Sequence, residues 1–90
     1  AYIITLSSDA VPWVRTSAAQ NPHTPTDVLS RLSADSARLV RVWVAQHQNA
    51  STDTLELLSK SEVNLIRKFV SRNPNTRYGI WIQGLGRVLP

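Results

Sequence analysis

Cysteine and methionine are both missing from the 90 residues, glycine is down to three, and aromatic side chains are few. Without cysteine there are no disulfides, no thiolate metal ligands and no thiol nucleophile. No run of about 18 apolar residues occurs and no charged-then-apolar leader, so neither a membrane helix nor a signal peptide is indicated. The catalytic motifs are missing too: there is no HExxH, no P-loop, no triad order of Ser, His and Asp, and no Gly-rich turn after a strand. Gly79, Gly84 and Gly86 all fall in the tail. Acidic residues are the scarcer charge, six against ten Lys and Arg, for a net charge of +4. A moderately basic chain is compatible with an acidic protein surface or a nucleic acid, and equally with an ordinary domain. The lack of an initiator Met and of a clean cap at either end suggests a piece of a longer protein, and a cytoplasmic placement is expected.

What the chain does have is a repeat. Val14 to Leu39 returns, with substitutions, as Val40 to Leu65, at an offset of 26 residues. Val14-Arg15 falls on Val40-Arg41, Ala19-Gln20 on Ala45-Gln46, Asp27 on Asp53, Leu29 on Leu55, and Leu32-Ser33 on Leu58-Ser59. Onward, Ile66-Arg67 takes the same place, and Asn73-Pro74 answers Asn21-Pro22. A fixed period between about 20 and 50 residues marks a solenoid. The chain therefore reads as a single repeat domain over 1–90: a partial unit 1–13, two whole units 14–39 and 40–65, and a degenerate unit 66–90. A chain this short buries roughly 60 to 65% of its unfolded surface, which is marginal for a globule. Stacking each unit on the next eases that difficulty.

Each unit contains two helices, here called B and A in chain order. Asp9, Asp35 and Ser61 share one phase and precede apolar runs, which predicts that they cap helix B, with Pro12 in its first turn. Asn21-Pro22 and Asn73-Pro74 stop it, near Gln20, Gln46 and Arg72. The middle copy has His47-Gln48-Asn49 there, so its helix is expected to run a little longer. Helix A then starts at Thr24-Pro25-Thr26-Asp27, with Thr24 as cap and Pro25 at the first helical position. In the middle copy Ser51 takes over the cap. Its apolar places are Val28, Leu29 and Leu32, then Leu55, Leu57 and Leu58, then Ile80, Trp81, Ile82 and Leu85. Residues 2 to 8 have strand propensity but align with Val28 to Ala34, which predicts the remnant of a helix.

At about 100° per residue, with the shared arginine set at zero, the apolar places of helix B fall between about 160° and 300°. Trp13, Leu39 and Leu65 lie at one edge, Trp43 and Phe69 near the middle, and Ala18, Val44 and Val70 at the other edge. On that wheel Arg15, Arg41 and Arg67, with Arg38, Lys68 and Arg72, share the solvent side. The expectation is arginine outward, Trp and aliphatic groups inward.

The series Val14-Arg15, Ala18-Ala19, Asn21-Pro22, Thr24-Pro25, Val28-Leu29, Leu32 and Asp35, followed by a fresh Val40-Arg41, resembles the leucine-rich repeat variant pattern. The resemblance is most specific in the first whole unit. It implies a short, right-handed, all-α solenoid of helix pairs, loosely akin to HEAT-type repeats, with one helix of each pair of 3₁₀ type. It implies architecture more than a reaction. The Cys-rich iron–sulfur segment found in some relatives is not carried over, since cysteine is lacking.

The arginine ladder supports two readings. Arg15, Arg41 and Arg67 could contact phosphates at the spacing of the repeat, or could bind Asp9, Asp35 or Glu62 of a neighbouring unit and hold the stack. Trp13, Trp43 and Trp81 could stack on bases, but their phases favour the core. His23 and His47 without a third ligand do not make a metal site. These residues point to a non-catalytic scaffold with no cofactor and no metal, binding an acidic protein surface through Arg15, Arg38, Arg41, Arg67, Lys68 and Arg72. The alternative is sequence-independent DNA or RNA binding through the same stripe. Self-association through exposed repeat ends is a further option, and no membrane is involved.

Overall fold

In a computed structural model, residues 2–76 are described, and six α-helices follow one another in them. They are α1 (Tyr2–Ser7), α2 (Pro12–Gln20), α3 (Thr26–Leu32), α4 (Arg38–Gln46), α5 (Thr52–Leu58) and α6 (Asn64–Arg72). Among the described residues there is no strand. Helices α2, α4 and α6 are the three B helices, each of nine residues and each starting 26 residues after the last. Helices α3 and α5 are the A helices, of seven residues each, and α1 is the helical remnant expected at residues 2 to 8. The third A helix, with Tyr78, Trp81 and the glycine tail, lies outside the described residues.

The B helices form a row in which α2 packs on α1 and α4, and α4 packs in turn on α6. The A helices pair with it, α3 and α5 on α4, and α5 also on α6. Principal extents of 44 × 21 × 15 Å give a rod, as stacking of like units requires. Its spine is Ala18, Val28, Leu29, Leu32, Val40, Val44, Leu55, Leu58, Ile66 and Val70, all buried. Leu57, at 66% exposure, is outside the core that the sequence assigned to it, and it occupies the phase held by Arg31 in the preceding unit. Helices α3 and α5 are α-helical throughout, not 3₁₀. The tighter geometry is confined to their ends, where Val28 N–H reaches Pro25 O and Ala34 N–H reaches Arg31 O.

The start signals act two residues earlier than expected. Asp9 Oδ1 accepts from Val11 N–H at 2.8 Å, Asp35 Oδ1 from Ala37 N–H at 2.8 Å, and Ser61 Oγ from Val63 N–H at 3.1 Å. These are side-chain turns that aim the chain into the helix, while the cap positions themselves are Val11, Ala37 and Val63, extended and without a side-chain cap. Thr24 likewise does not cap α3. Its buried hydroxyl donates to Ala18 O, as Thr76 donates to Val70 O two units later, and Pro25 is the cap residue. Ser51 does cap α5, accepting from Thr54 N–H at 3.1 Å.

The loops after the B helices join one unit to the next. The middle B helix stops at Gln46 like its neighbours, because His47 behaves as an asparagine. His47 Nδ1 accepts from Asn49 N–H at 2.9 Å, as Asn21 Oδ1 accepts from His23 N–H and Asn73 Oδ1 from Asn75 N–H. That assigns the other ring proton to Nε2, which donates to Asn21 O of the preceding unit at 2.7 Å. Asn73 Nδ2 in turn donates to Ala45 O and His47 O, both at 3.0 Å. A second rail runs beside it: Asn49 Nδ2 reaches Pro22 O and Thr24 O, and Asn75 Nδ2 reaches Gln48 O and Ala50 O. Among the described residues no buried side-chain N or O atom lacks a partner, so these polar loops are fully used by the stack itself.

Candidate functional site

The expected outward arginine ladder is turned inward. Arg15, Arg41 and Arg67 are half-buried, and each directs one guanidinium nitrogen to a backbone carbonyl six residues earlier: Asp9 O, Asp35 O and Ser61 O. Arg15 also forks onto the turn that leads into α4, with Nε 2.6 Å from Asp35 Oδ2 and Nη2 2.9 Å from Asp35 Oδ1. Arg67 reaches Asn64 Oδ1 on its own helix. The hydrogen bond from Arg15 draws the Asp35 carboxyl below its ordinary range, against the opposing effect of burial, with the Ala37 N–H and the Arg41 charge adding to the lowering. The same hydrogen bond holds Arg15 in its charged form. All three guanidinium groups are thus engaged by backbone carbonyls, and Arg15 also by the Asp35 carboxylate.

Arg38, Lys68 and Arg72 are placed differently. All three are exposed, Arg38 at the first residue of α4, Lys68 midway along α6, and Arg72 at its last residue. None of the three B helices carries an acidic residue.

The face that the B helices do turn to solvent was assigned to the core by the sequence. Trp13 is 72% exposed, Leu39 53% and Leu65 47%. Each is the second residue of its helix, so the three stand in register on α2, α4 and α6. One turn further on, Trp43 and Phe69 are half-buried against the core. At the last position stand Gln20, Gln46 and Arg72. Second, sixth and ninth positions share one helical stripe. The buried arc is thus rotated by about one residue, roughly 100°, from the one expected. The physical reason lies at the eighth position, where Ala19, Ala45 and Ser71 are buried. Small side chains there let neighbouring helices approach closely, and they weigh little in an apolar count, while arginine next to them is admitted by its carbonyl partners.

Between the C-terminal halves of these helices lie two depressions in equivalent places. One, of about 240 Å³, is lined by Ala19, Gln20, Pro22, Trp43, Gln46, His47 and Gln48. The other, of about 270 Å³, is lined by Gln46, Phe69, Arg72, Asn73 and Pro74. Shifted by one unit, Trp43 becomes Phe69, Gln46 becomes Arg72 and His47 becomes Asn73, so the second is a copy of the first. Gln46 lines both. A wider depression at Ser33, Arg41, Leu57, Lys60 and Glu62 carries charges of both signs. Among the described residues no group of three or more His, Cys, Asp or Glu is placed to hold a metal ion, and no helix is long and apolar enough to cross a membrane. His23 is exposed in the loop after α2.

Sequence reasoning therefore found Arg38, Lys68 and Arg72 on the exposed side and missed Gln20, Gln46 and the Trp13, Leu39 and Leu65 row. The signal for that row was in the sequence, as large apolar residues recurring at one phase beside a recurring Gln.

Residues 12–37 match the family model described as leucine rich repeat variant. That segment is α2, the loop after it, α3 and the turn leading to α4, one helix pair of the kind the residues had suggested. No curated protein and no solved structure matches the chain.

Proposed function

We propose that this chain is a non-catalytic repeat module whose exposed B-helix face binds another protein, in the cytoplasm. The observation that carries the reading is the in-register row Trp13, Leu39 and Leu65, three large apolar side chains left in water by three successive units. Contiguous exposed apolar surface with a polar rim is the ordinary mark of an interaction site. Arg72 stands on the same stripe at the end of α6, Arg38 and Lys68 are exposed on α4 and α6, and the B helices bear no carboxylate, so an acidic partner surface fits best. Arg15, Arg41 and Arg67 serve this site indirectly, by fixing the entry of each B helix.

The nucleic-acid alternative draws on the same basic residues, but three of its six phosphate donors are committed to carbonyls and to Asp35. Backbone binding also makes little use of a Trp and Leu row. Amide chemical shifts recorded at low salt against an acidic amphipathic helical peptide and against a generic DNA duplex separate the two. The peptide is expected to move resonances of α2, α4 and α6, and the duplex to move few. A duplex affinity that falls by orders of magnitude with added salt, with no response to the peptide, replaces the first reading with the second.

A further inference from the structure

The two equivalent depressions give the B-helix face a period, and a period selects a ligand. Packed helices stand about 8–10 Å apart. A β-strand advances about 3.3 Å per residue and repeats its side-chain direction every second residue, so it presents like groups at about 6.6 Å, too short for the interval. A polyproline II chain rises about 3.1 Å per residue and repeats every third, at about 9.3 Å, which falls within it. Its backbone has no internal hydrogen bonds and leaves carbonyls and N–H groups to be met from outside. Aromatic-lined grooves with side-chain donors are the usual receptors of such chains. Here each depression offers one aromatic ring, Trp43 or Phe69, and shares the Gln46 amide, itself held at 3.4 Å to Val42 O. Gln20 and Arg72 complete the outer ends.

We infer that the ligand of this face is an acidic, proline-containing segment in polyproline II conformation, crossing α2, α4 and α6 and seating every third side chain between successive B helices. Charge fixes the sign: Arg72 lines the second depression, Lys68 is on the same helix, and the B helices hold no acid to repel the segment. A second copy of this chain fits poorly on the same face, because it would bring basic helix against basic helix. The inference rests on the proposed role of the B-helix face and adds the conformation and spacing of what it takes.

The test is a titration of isotope-labelled protein with a synthetic peptide of three Leu-Pro-Glu units. A control of the same composition has its leucines at alternate positions, and the acidic helical peptide of the preceding experiment is the third probe. Expected are shifts centred on Gln20, Trp43, Gln46 and Phe69, with the control at least about tenfold weaker. Gln46→Ala and Arg72→Glu should each weaken the first peptide by about tenfold while melting is unchanged. Should Gln46→Ala alter folding, Gln46→Glu keeps the shape and adds repulsion. Equal binding of the control, shifts away from the two depressions, or binding of the helical peptide alone would overturn the inference and leave the function reading in place. Silence from all three peptides would overturn both.

Discussion

At the scale of single residues, the polar side chains that set this fold are those whose partners lie six positions away or 20 to 28 positions away. Asp35 is one of them. It accepts from Arg15 of α2 with both oxygens and from Ala37 N–H, and its carbonyl accepts from Arg41. Its carboxyl is held below the ordinary range, first by the Arg15 hydrogen bond. The sign follows: a carboxylate whose folded pKa is depressed adds stability that is fully present above the unfolded value of about 3.9 and is lost as pH falls through the folded value. Asp35→Asn should therefore lower the melting temperature at neutral pH and flatten its fall below pH about 4. Melting curves from neutral pH to strongly acidic pH check this. A variant whose melting temperature still tracks the parent's acid limb in parallel would mean that the Arg15 and Asp35 pair does not stabilise the fold. Phase alone suggested that an arginine recurring with the unit could be structural. What it could not supply was the partner: the carbonyl six residues back has no side-chain signature in any sequence.

At the scale of elements, the apolar spacing of the two described A helices, α3 and α5, matches the burial except at one place, and the exception is a test. Leu55 and Leu57 sit two residues apart on α5. Leu55 is fully buried, and Leu57 is exposed at the phase of Arg31. Leu55→Ala should cost about 2–5 kcal/mol from lost burial and the cavity left behind. Leu57→Ala should stay within about 0.5 kcal/mol. Chemical denaturation of the two variants compares them directly, and similar midpoints would contradict the burial of this helix. Helix existence, order and period were legible because leucines and valines at fixed spacing are driven to one side of any helix. The ends of the B helices were legible through Asn21 and Asn73, whereas the stop at Gln46 was not, because a histidine acting through Nδ1 as an asparagine oxygen depends on ring placement. The rotation of the B helices was misjudged for a similar reason. Whether Trp13 or Arg15 faces inward is decided by close helix contact at Ala19 and Ala45 and by carbonyls offered to the guanidinium. Neither enters a hydropathy count, and so the exposed face of the B helices is expected about one residue away from where it lies.

At the scale of the whole chain, a stack of like units draws stability from each unit and from each interface between neighbours. Helix α4 is enclosed on both sides, by α2 and α6, and its following loop is tied by His47 to Asn21 and by Asn73 to His47. Helix α1 packs chiefly on α2 and is only six residues long. Opening α4 must therefore break two interfaces and both loop rails, whereas opening α1 breaks far less. Local openings span free energies from near zero up to that of global unfolding, and the interior unit should lie at the upper end. Hydrogen exchange should accordingly be slowest at the amides of Val44 and Ala45 and fastest in α1, with α2 between them. Asn73→Ala, which removes two buried donors to Ala45 O and His47 O, should cost about 1–3 kcal/mol. It should also bring α4 exchange closer to that of α2 while leaving α1 unchanged. Uniform protection from α1 to α4, or an Asn73→Ala effect felt equally at α1, would mean that the rod unfolds as one indivisible body and that the loop rails do not set the order of its units' stability.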